Sequence, residues 1–289
     1  MYLKSVLHMG ALLLRFRNGP TLVRQMRAGQ PCAEAVLWDG TRIAHPEGRA
    51  GLLEALQEIW LERIYTAGFY RPADGDVIVD AGANVGVFSI YIARQNRSCR
   101  VVALEPFAEN FRYLQDNVAR SRLGNVTCHE TALGGGFEQA QMQAVGTRSL
   151  DHVLVRDQVP VAVVSARAGE TIGPQPSALS SQLDPSGAQV EANMINVIPL
   201  SALFDLAGAQ EINFLKVDIE GSEREVFGAA PPDALHRILR IAMEYHDCLV
   251  PGTLDLLHTT LAPTHEIMVF PSQLEGCGIL RARRRDLKS

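Results

Sequence analysis

The stretch VIVDAGANVGVFSIYIAR, residues 77–94, decides the fold. Its first residues, 77–79, are an apolar run of the kind that forms a buried strand, and Asp80 ends that run. Gly82 permits a tight turn. The apolar run 85–93 that follows has the length of a helix. The stretch therefore predicts a strand, a glycine turn and a helix, which is the unit that holds nucleotide-like ligands in α/β proteins.

Two residues of the turn narrow the choice of ligand. Asn84 is a suitable N-cap for the helix, and Gly86 is expected to let that helix pack closely on the strand. The dinucleotide fingerprint GxGxxG requires a second glycine where this chain has Asn84. The carboxylate of Asp80 would repel a pyrophosphate but suits a ligand with an ammonium and a sulfonium group. Asp80, Gly82, Asn84 and Gly86 are therefore predicted to bind S-adenosylmethionine.

A second acid supports this interpretation. The next apolar strand ends in VVALEPF, residues 101–107, so that Glu105 follows Gly86 by 19 residues. An acid at the end of this strand can accept hydrogen bonds from both ribose hydroxyls of an adenosine ligand. Many strands end in an acid, so Glu105 is informative only together with Asp80 and the glycine turn.

The rest of the chain alternates between strand and helix patterns. Five apolar runs predict buried strands, and two later segments predict a closing hairpin: 77–80, 101–105, 126–133, 212–218 and 238–246, followed by 265–270 and 278–283. This alternation predicts an α/β fold with a mostly parallel seven-stranded sheet and a closing antiparallel pair. Residues 1–74 are predicted to form an N-terminal appendage of helices and a β-hairpin. Within the domain 75–289, residues 134–200 are predicted to be an insertion on the substrate side, with β structure around 150–165.

Three motifs resemble one family. They are VIVDAGANVGVFS (77–89), ALEPFAENFRYLQDNV (103–118) and INFLKVDIEGSEREV (212–226). Together they are similar to the motifs of the FkbM family of S-adenosylmethionine-dependent methyltransferases over about residues 75–246. The resemblance implies a class I methyltransferase fold and O-methylation of a hydroxyl on a sugar, polyketide or other secondary metabolite. The chain departs from the family pattern at 199–201, where Pro-Leu-Ser replaces a Leu-Asp pair and a carboxylate is lost.

Methyl transfer to a hydroxyl needs a group that removes the proton or a metal that acidifies it. The fourth and fifth strands end in Asp218, Glu220, Glu244 and His246, and in extended strands Asp218 and Glu220 share one face, as do Glu244 and His246. One interpretation makes His246 a general base that Asp218 or Glu244 orients. The other makes Asp218, Glu244 and His246 ligands of a divalent ion such as Mg²⁺. We favour the metal-free arrangement.

Other polar residues near these strands have simpler explanations. Ser222 and Glu225 form an SxxE capping box, so Glu225 and Glu223 are expected to serve the start of a helix. Lys216 is expected to pair with a neighbouring acid. His129 and Glu130 lie at the tip of the third strand, where the adenine pocket is expected, and an exposed loop explains them equally well.

Composition limits the partners and the compartment. The net charge of −5 and the lack of a basic stretch interleaved with aromatic residues argue against nucleic acid as a partner, which leaves a small-molecule, glycan or polyketide acceptor. Five scattered cysteines predict neither disulfides nor a zinc site, and they favour a reducing cytoplasm. Residues 1–30 are basic and apolar, which fits packing helices and, as the less favoured alternative, contact with a membrane surface. The oligomeric state stays open.

Two rival functions remain at this point. A nicotinamide-dependent oxidoreductase requires the glycine that Asn84 replaces. A protein that binds the cofactor without turnover is compatible with the carboxylate missing at 199–201, because a fold does not guarantee activity.

Overall fold

The computed structural model describes residues 2–144, 152–155 and 193–287. In chain order the strands are β1 Glu34–Val36, β2 Arg42–Ala44, β3 Val77–Ala81, β4 Arg100–Leu104, β5 Val126–His129, β6 Thr131–Gly134, β7 Glu138–Ala144, β8 His152–Val155, β9 Asn193–Pro199, β10 Phe214–Val217, β11 Arg240–His246, β12 His265–Pro271 and β13 Cys277–Arg284. The α-helices are α1 Tyr2–Arg15, α2 Gly19–Ala28, α3 Leu52–Ala55, α4 Val87–Gln95, α5 Ala108–Arg120, α6 Leu203–Ala207, α7 Glu223–Gly228, α8 Pro232–His236 and α9 Thr253–Leu261. A π-helix, Leu56–Glu62, continues α3, and a 3₁₀ turn, Leu200–Ala202, precedes α6.

The predicted α/β fold of the class I methyltransferases is confirmed. Seven strands form one sheet in the order β12-β13-β11-β10-β3-β4-β5. From β11 to β5 all neighbours are parallel, and β13 and β12 close the sheet as an antiparallel pair. The glycine-rich stretch supplies β3, the middle one of the five parallel strands, and β3 is buried along its whole length. The carboxyl ends of β3, β4, β10 and β11 therefore meet at one edge.

The segment predicted as one strand over 126–133 is two strands in different sheets. β5 ends at His129 as the edge of the main sheet, and β6 begins at Thr131 in a four-stranded sheet of order β6-β9-β7-β8. The apolar pattern continues through both because Leu133 packs in the main core while Ala132 packs in the small sheet's own cluster. The insertion's sheet therefore starts at 131, and of the β structure expected around 150–165 only His152–Val155 lies within the described residues.

The part of the chain before β3 contains the predicted hairpin and helices. β1 and β2 pair antiparallel around Gly40, whose φ of +88° is the turn conformation that glycine favours. Leu12 of α1 and Phe16, just after α1, are fully buried in the same core cluster as Phe88 of α4 and Leu114 of α5. Whether residues 1–74 are a separate domain stays a prediction, but their apolar side chains share a core with the first two helices of the sheet.

One covalent link was not expected. Cys248, just after β11, is bonded to Cys277 at the start of β13, whereas the scattered cysteines predicted no disulfide. The two residues are 29 positions apart in the chain and are brought together because His246 and Cys277 are register partners across β11 and β13. Among the helices that the structure describes, none has the length and hydropathy needed to cross a bilayer.

Candidate functional site

The turn after β3 can be formed only by glycine at position 82. Gly82 has φ +75°, a conformation that residues with a Cβ adopt at a cost. A Cβ on Gly82 would lie 1.8 Å from the main-chain oxygen of Asp218, which follows β10. The N–H groups of Gly82 and Ala83 both donate to the carbonyl of Leu104 at the end of β4, at 3.0 and 2.8 Å. The turn is thus held tightly between the ends of the two neighbouring strands.

The predicted roles of Asn84 and Gly86 are wrong in detail. Helix α4 begins at Val87, and Gly86 with φ +89° occupies the N-cap position. Asn84 is itself part of the turn, with φ +51°, and its Oδ1 accepts a hydrogen bond from the N–H of Val85. The absent Cβ of Gly86 makes room for Leu114 of α5, at 2.8 Å, and not for the strand. The local pattern predicted a cap, but the tight turn takes two further residues before the helix can start.

Asp80 lies under the turn in a buried ion pair. Its side chain is fully buried, and the Nζ of Lys216 lies 3.2 Å from its Oδ1. The hydroxyl of Ser89 donates to Oδ2 at 2.6 Å. Asp80 and Lys216 are register partners on β3 and β10, so their side chains leave the sheet on the same face. Lys216 also donates to the carbonyl of Gly82 at 2.7 Å, and the ion pair thereby anchors the turn.

Glu105 is also attached to the turn. It follows β4, is buried, and accepts hydrogen bonds from the N–H groups of Asn84 at 2.8 Å and Phe107 at 3.0 Å. Burial raises the pKa of Glu105 to about 7, although the two hydrogen bonds act in the opposite direction and lower it. The carboxylate thus lies beside the glycine turn, at the strand end where ribose hydroxyls are expected.

The predicted acceptor residues meet at the ends of β10 and β11. Asp218, Glu244 and His246 each offer a ligand atom within 4.8 Å of those of the other two. The phenolic hydroxyl of Tyr65 donates to Oδ2 of Asp218 at 3.2 Å, and Lys216 Nζ lies 3.5 Å from the same oxygen. The sequence grouped the first three correctly but gave no sign of the contact with Tyr65, which lies 153 residues earlier.

Glu220 reaches the cluster by a different route from the one predicted. Strand β10 ends at Val217, and Glu220 has the left-handed φ of +48°, so Asp218 and Glu220 are not alternate residues of one extended strand. The Oε2 of Glu220 lies 3.5 Å from Nε2 of His246.

Glu223 is the partner of His246 that sequence reasoning missed. Its carboxylate is fully buried, and Oε1 lies 3.0 Å from Nδ1 of His246. The same oxygen accepts the N–H of Gly221, while Oε2 has no hydrogen-bond partner among the described residues. Glu223 therefore contacts Nδ1 of His246 and fixes that side of the ring, while the orienting role of Asp218 or Glu244 stays a prediction.

The predicted capping box is not formed. Ser222 occupies the N-cap of α7 but makes no side-chain cap hydrogen bond. Glu225 accepts the N–H of Gly135, just after β6, at 2.7 Å. Glu225 is therefore used in a contact between elements, and Glu223 contacts both His246 and the turn just before the helix.

The charges of the cluster favour a protonated imidazole. Burial alone would lower the pKa of His246, but the carboxylates of Glu223 and Glu220 outweigh it and raise that pKa well above its ordinary value. Burial among the other acids raises the pKa of Glu220 to about 8, although His246 lowers it and one third of its side chain is exposed to water. The carboxylates of the cluster thus favour a proton on His246 near neutral pH.

An open cavity lies beside the end of β5. Its volume is about 460 Å³, and its lining includes His129 and Glu130 from the end of β5, Phe137 from the turn before β7, Asn196 from β9, and Leu206 from α6. Burial lowers the pKa of His129, so its imidazole is neutral at pH 7. The structure thus places His129 at a cavity shared by the main sheet and the insertion.

The comparison with protein families decides the assignment. Residues 80–254, more than half of the chain, match the methyltransferase FkbM domain. The chain belongs to the FkbM methyltransferase family. The matched segment contains the glycine turn, Glu105, Lys216 and the cluster around His246. The family and the strand order together make this an S-adenosylmethionine-dependent methyltransferase domain.

Three curated proteins illustrate the range of its relatives. The chain is 28% identical over 207 residues to the AMB antimetabolite synthetase AmbE of Pseudomonas aeruginosa, 66% of this chain but only 9% of that protein. It is 28% identical over 222 residues to the 31-O-demethyl-FK506 methyltransferase FkbM of Streptomyces tacrolimicus, 72% of this chain and 80% of that one. It is 22% identical to Methyltransferase 1 of Beauveria bassiana, over 71% of this chain and 77% of that protein.

Solved structures show more distant similarity. The precorrin-6y C5,15-methyltransferase of Geobacter metallireducens aligns with a TM-score of 0.42 at 13% identity, over 84% of this chain and 94% of that chain. The magnesium protoporphyrin IX methyltransferase of Synechocystis aligns with a TM-score of 0.36 at 10% identity, over 73% of this chain and 71% of that chain. The assignment above rests on the family and the strand order.

Proposed function

We propose that the protein is an O-methyltransferase whose acceptor is a hydroxyl of a small secondary metabolite such as a sugar or polyketide. The observation that carries this proposal is the cluster of Asp218, Glu244 and His246 at the carboxyl ends of β10 and β11, one strand away from the glycine turn. Transfer to oxygen needs a base at that position. The Streptomyces relative is named for a 31-O-demethyl substrate, and the Pseudomonas relative for an antimetabolite, which supports the proposed class of acceptor.

Binding of the cofactor is assigned to the turn and the acid beside it. S-adenosylmethionine supplies the methyl group when bound. Gly82, Asn84 and Gly86 shape the turn, and Glu105 accepts hydrogen bonds from the ribose hydroxyls. The carboxylate of Asp80 was expected to suit a ligand with an ammonium and a sulfonium group, but its burial against Lys216 favours an indirect role in which the pair fixes the turn.

The acceptor's proton is assigned to His246. Neutral His246 takes the hydroxyl proton at Nε2 while the oxygen forms its bond to the methyl carbon and the bond from that carbon to sulfur breaks. Glu223, on Nδ1, stabilises the imidazolium that results. Because the carboxylates raise the pKa of His246, the neutral form is a minority near neutral pH, and the rate is expected to rise with pH.

A divalent ion at the same three side chains is the second candidate. The two carboxylates of Asp218 and Glu244 and the imidazole of His246 suit a hard cation. Glu223 contacts Nδ1 of His246, as carboxylates do at the second ring nitrogen of many metal-binding histidines. We place this arrangement second because Lys216 already lies 3.5 Å from Asp218 and supplies a positive charge there.

The test is transfer of a labelled methyl group. The purified protein is incubated with ¹³C-methyl S-adenosylmethionine and a panel of sugars, phenols and polyketides, and new methoxy carbons are detected by NMR. Methoxy products that are lost in His246→Ala but kept in the surface control His258→Ala support the proposal. Labelling only at nitrogen, carbon or sulfur, or cofactor binding without any product, contradicts it. Loss of turnover on adding EDTA, with recovery on Mg²⁺, favours the divalent ion.

A further inference from the structure

One face of α1 is apolar and exposed. Val6, Leu7, Leu13 and Leu14 lie within about one third of the helix circumference at 100° per residue. Leu7 is 64% exposed and Leu14 is 80% exposed. Leu12 on the opposite side of the helix and Phe16 just beyond its end pack into the core, so the helix is already anchored and its outer face is free of those contacts.

A tryptophan extends this face. Trp38, in the turn of the β1–β2 hairpin, is 65% exposed, and its indole N–H donates to the carbonyl of Leu14 at 2.9 Å. The backbone N–H of Arg17 donates a hydrogen bond to the carbonyl of Val36, which fixes the hairpin beside the end of α1. We call the five exposed side chains Val6, Leu7, Leu13, Leu14 and Trp38 the N-terminal surface.

Residues 1–33, which carry four of the five side chains of the N-terminal surface, have a positive net charge. Residues 1–33 contain five basic residues and no acid, in a chain with a net charge of −5. Arg17, Arg24 and Arg27 are exposed and have no ion-pair partner among the residues that the structure describes.

Three acids of the adjoining elements already contact basic side chains. Glu34 pairs with Arg42 and Asp39 with Arg94, and Glu62 lies 3.1 Å from the imidazole of His8. The guanidinium groups of Arg42 and Arg94 thus already balance the carboxylates of Glu34 and Asp39.

We propose that the N-terminal surface docks on an anionic lipid bilayer. Exposed leucines and a tryptophan enter the interface of lipid head groups and acyl chains, and the surrounding arginines meet the anionic head groups. A second copy of this chain fits less well, because a symmetric contact through this surface would bring two sets of unpaired arginines together. The proposal is independent of the acceptor and of the role of His246.

The test is co-sedimentation of the full chain with large vesicles. Phosphatidylcholine alone is compared with a mixture containing about one quarter phosphatidylglycerol, at low and at high salt. We expect binding only to the anionic vesicles, with a loss of at least about tenfold in Leu7→Ser/Leu14→Ser and in Arg17→Ser/Arg24→Ser. Met268→Ser, an exposed apolar residue on β12, is the matched control and keeps full binding.

Fluorescence reports the contact directly. The chain has two tryptophans, and Trp60 is buried, so a blue shift on adding vesicles comes from Trp38 and disappears in Trp38→Phe. Equal binding to neutral vesicles, absence of binding to either, or equal loss in Met268→Ser overturns the proposal. So does a dimer in sedimentation velocity that dissociates in Leu7→Ser/Leu14→Ser and does not bind vesicles.

Discussion

Replacing Lys216 by methionine tests whether the buried ion pair holds the site. The variant leaves the carboxylate of Asp80, which is fully buried, without its positive partner, and it removes the hydrogen bond to the carbonyl of Gly82. Methionine has nearly the same length, so the packing changes little. Removing one partner of a buried pair costs about 3–5 kcal/mol of unfolding free energy.

The double variant separates the charge from the packing. In Asp80→Asn/Lys216→Met no charge is left buried at this position, and Ser89 can still donate to the amide oxygen. We expect this variant to recover about 2 kcal/mol or more relative to Lys216→Met, measured by urea denaturation followed by circular dichroism. For a chain of this size, Lys216→Met alone should lower the melting temperature by roughly 5–8 °C.

An exposed pair serves as the control. Arg283 and Glu266 form a surface salt bridge at 2.7 Å, with side chains 31% and 50% exposed. Arg283→Met is expected to cost less than about 1 kcal/mol. The reasoning is refuted if Lys216→Met is no less stable than Arg283→Met, or if the double variant is as unstable as the sum of its single changes.

Three further predictions concern the turn and the cluster. Gly82→Ala places a Cβ 1.8 Å from the carbonyl of Asp218 and should abolish calorimetric binding of S-adenosylhomocysteine, whereas retained binding contradicts the close approach. Burial raises the pKa of Glu105 to about 7, so the affinity for S-adenosylhomocysteine should be about tenfold weaker at pH 6 than at pH 8. Glu105→Gln should remove this pH dependence. A flat pH profile of the wild type would argue against a role for the carboxylate. Because Glu223 favours the imidazolium, Glu223→Gln should lower the pKa of His246 and move the rising limb of kcat/KM to lower pH, and an unshifted limb excludes that coupling.

Local sequence patterns predicted the parts of the fold that depend on local chemistry. The apolar runs located the strands of the main sheet, and the thirteen residues VIVDAGANVGVFS located its central turn. The edge where Asp218, Glu244 and His246 meet followed from the rule that parallel strands end on the same side. None of these inferences required knowing which residues far apart in the chain make contact.

The contacts that the sequence did not reveal depend on tertiary packing. Glu225 fits a capping pattern, but its carboxylate accepts a hydrogen bond from the N–H of Gly135, which lies 90 residues away in the chain. Glu223 belongs to the same motif, but its carboxylate contacts His246. This contact depends on the position of α7 against β11. The register of β3 and β10 pairs Asp80 with Lys216, and no local pattern encodes that register.

The measurement that tests the account most directly is a calorimetric titration of the purified chain with S-adenosylhomocysteine, with NAD as the parallel ligand. Binding of the first ligand alone, in the micromolar range and weakened in Glu105→Ala, is the predicted result. Arg283→Met is the matched control and should bind as tightly as the wild type. Binding of NAD alone, or equal binding of S-adenosylhomocysteine by wild type and Glu105→Ala, would contradict the assignment of this turn and this acid to the cofactor.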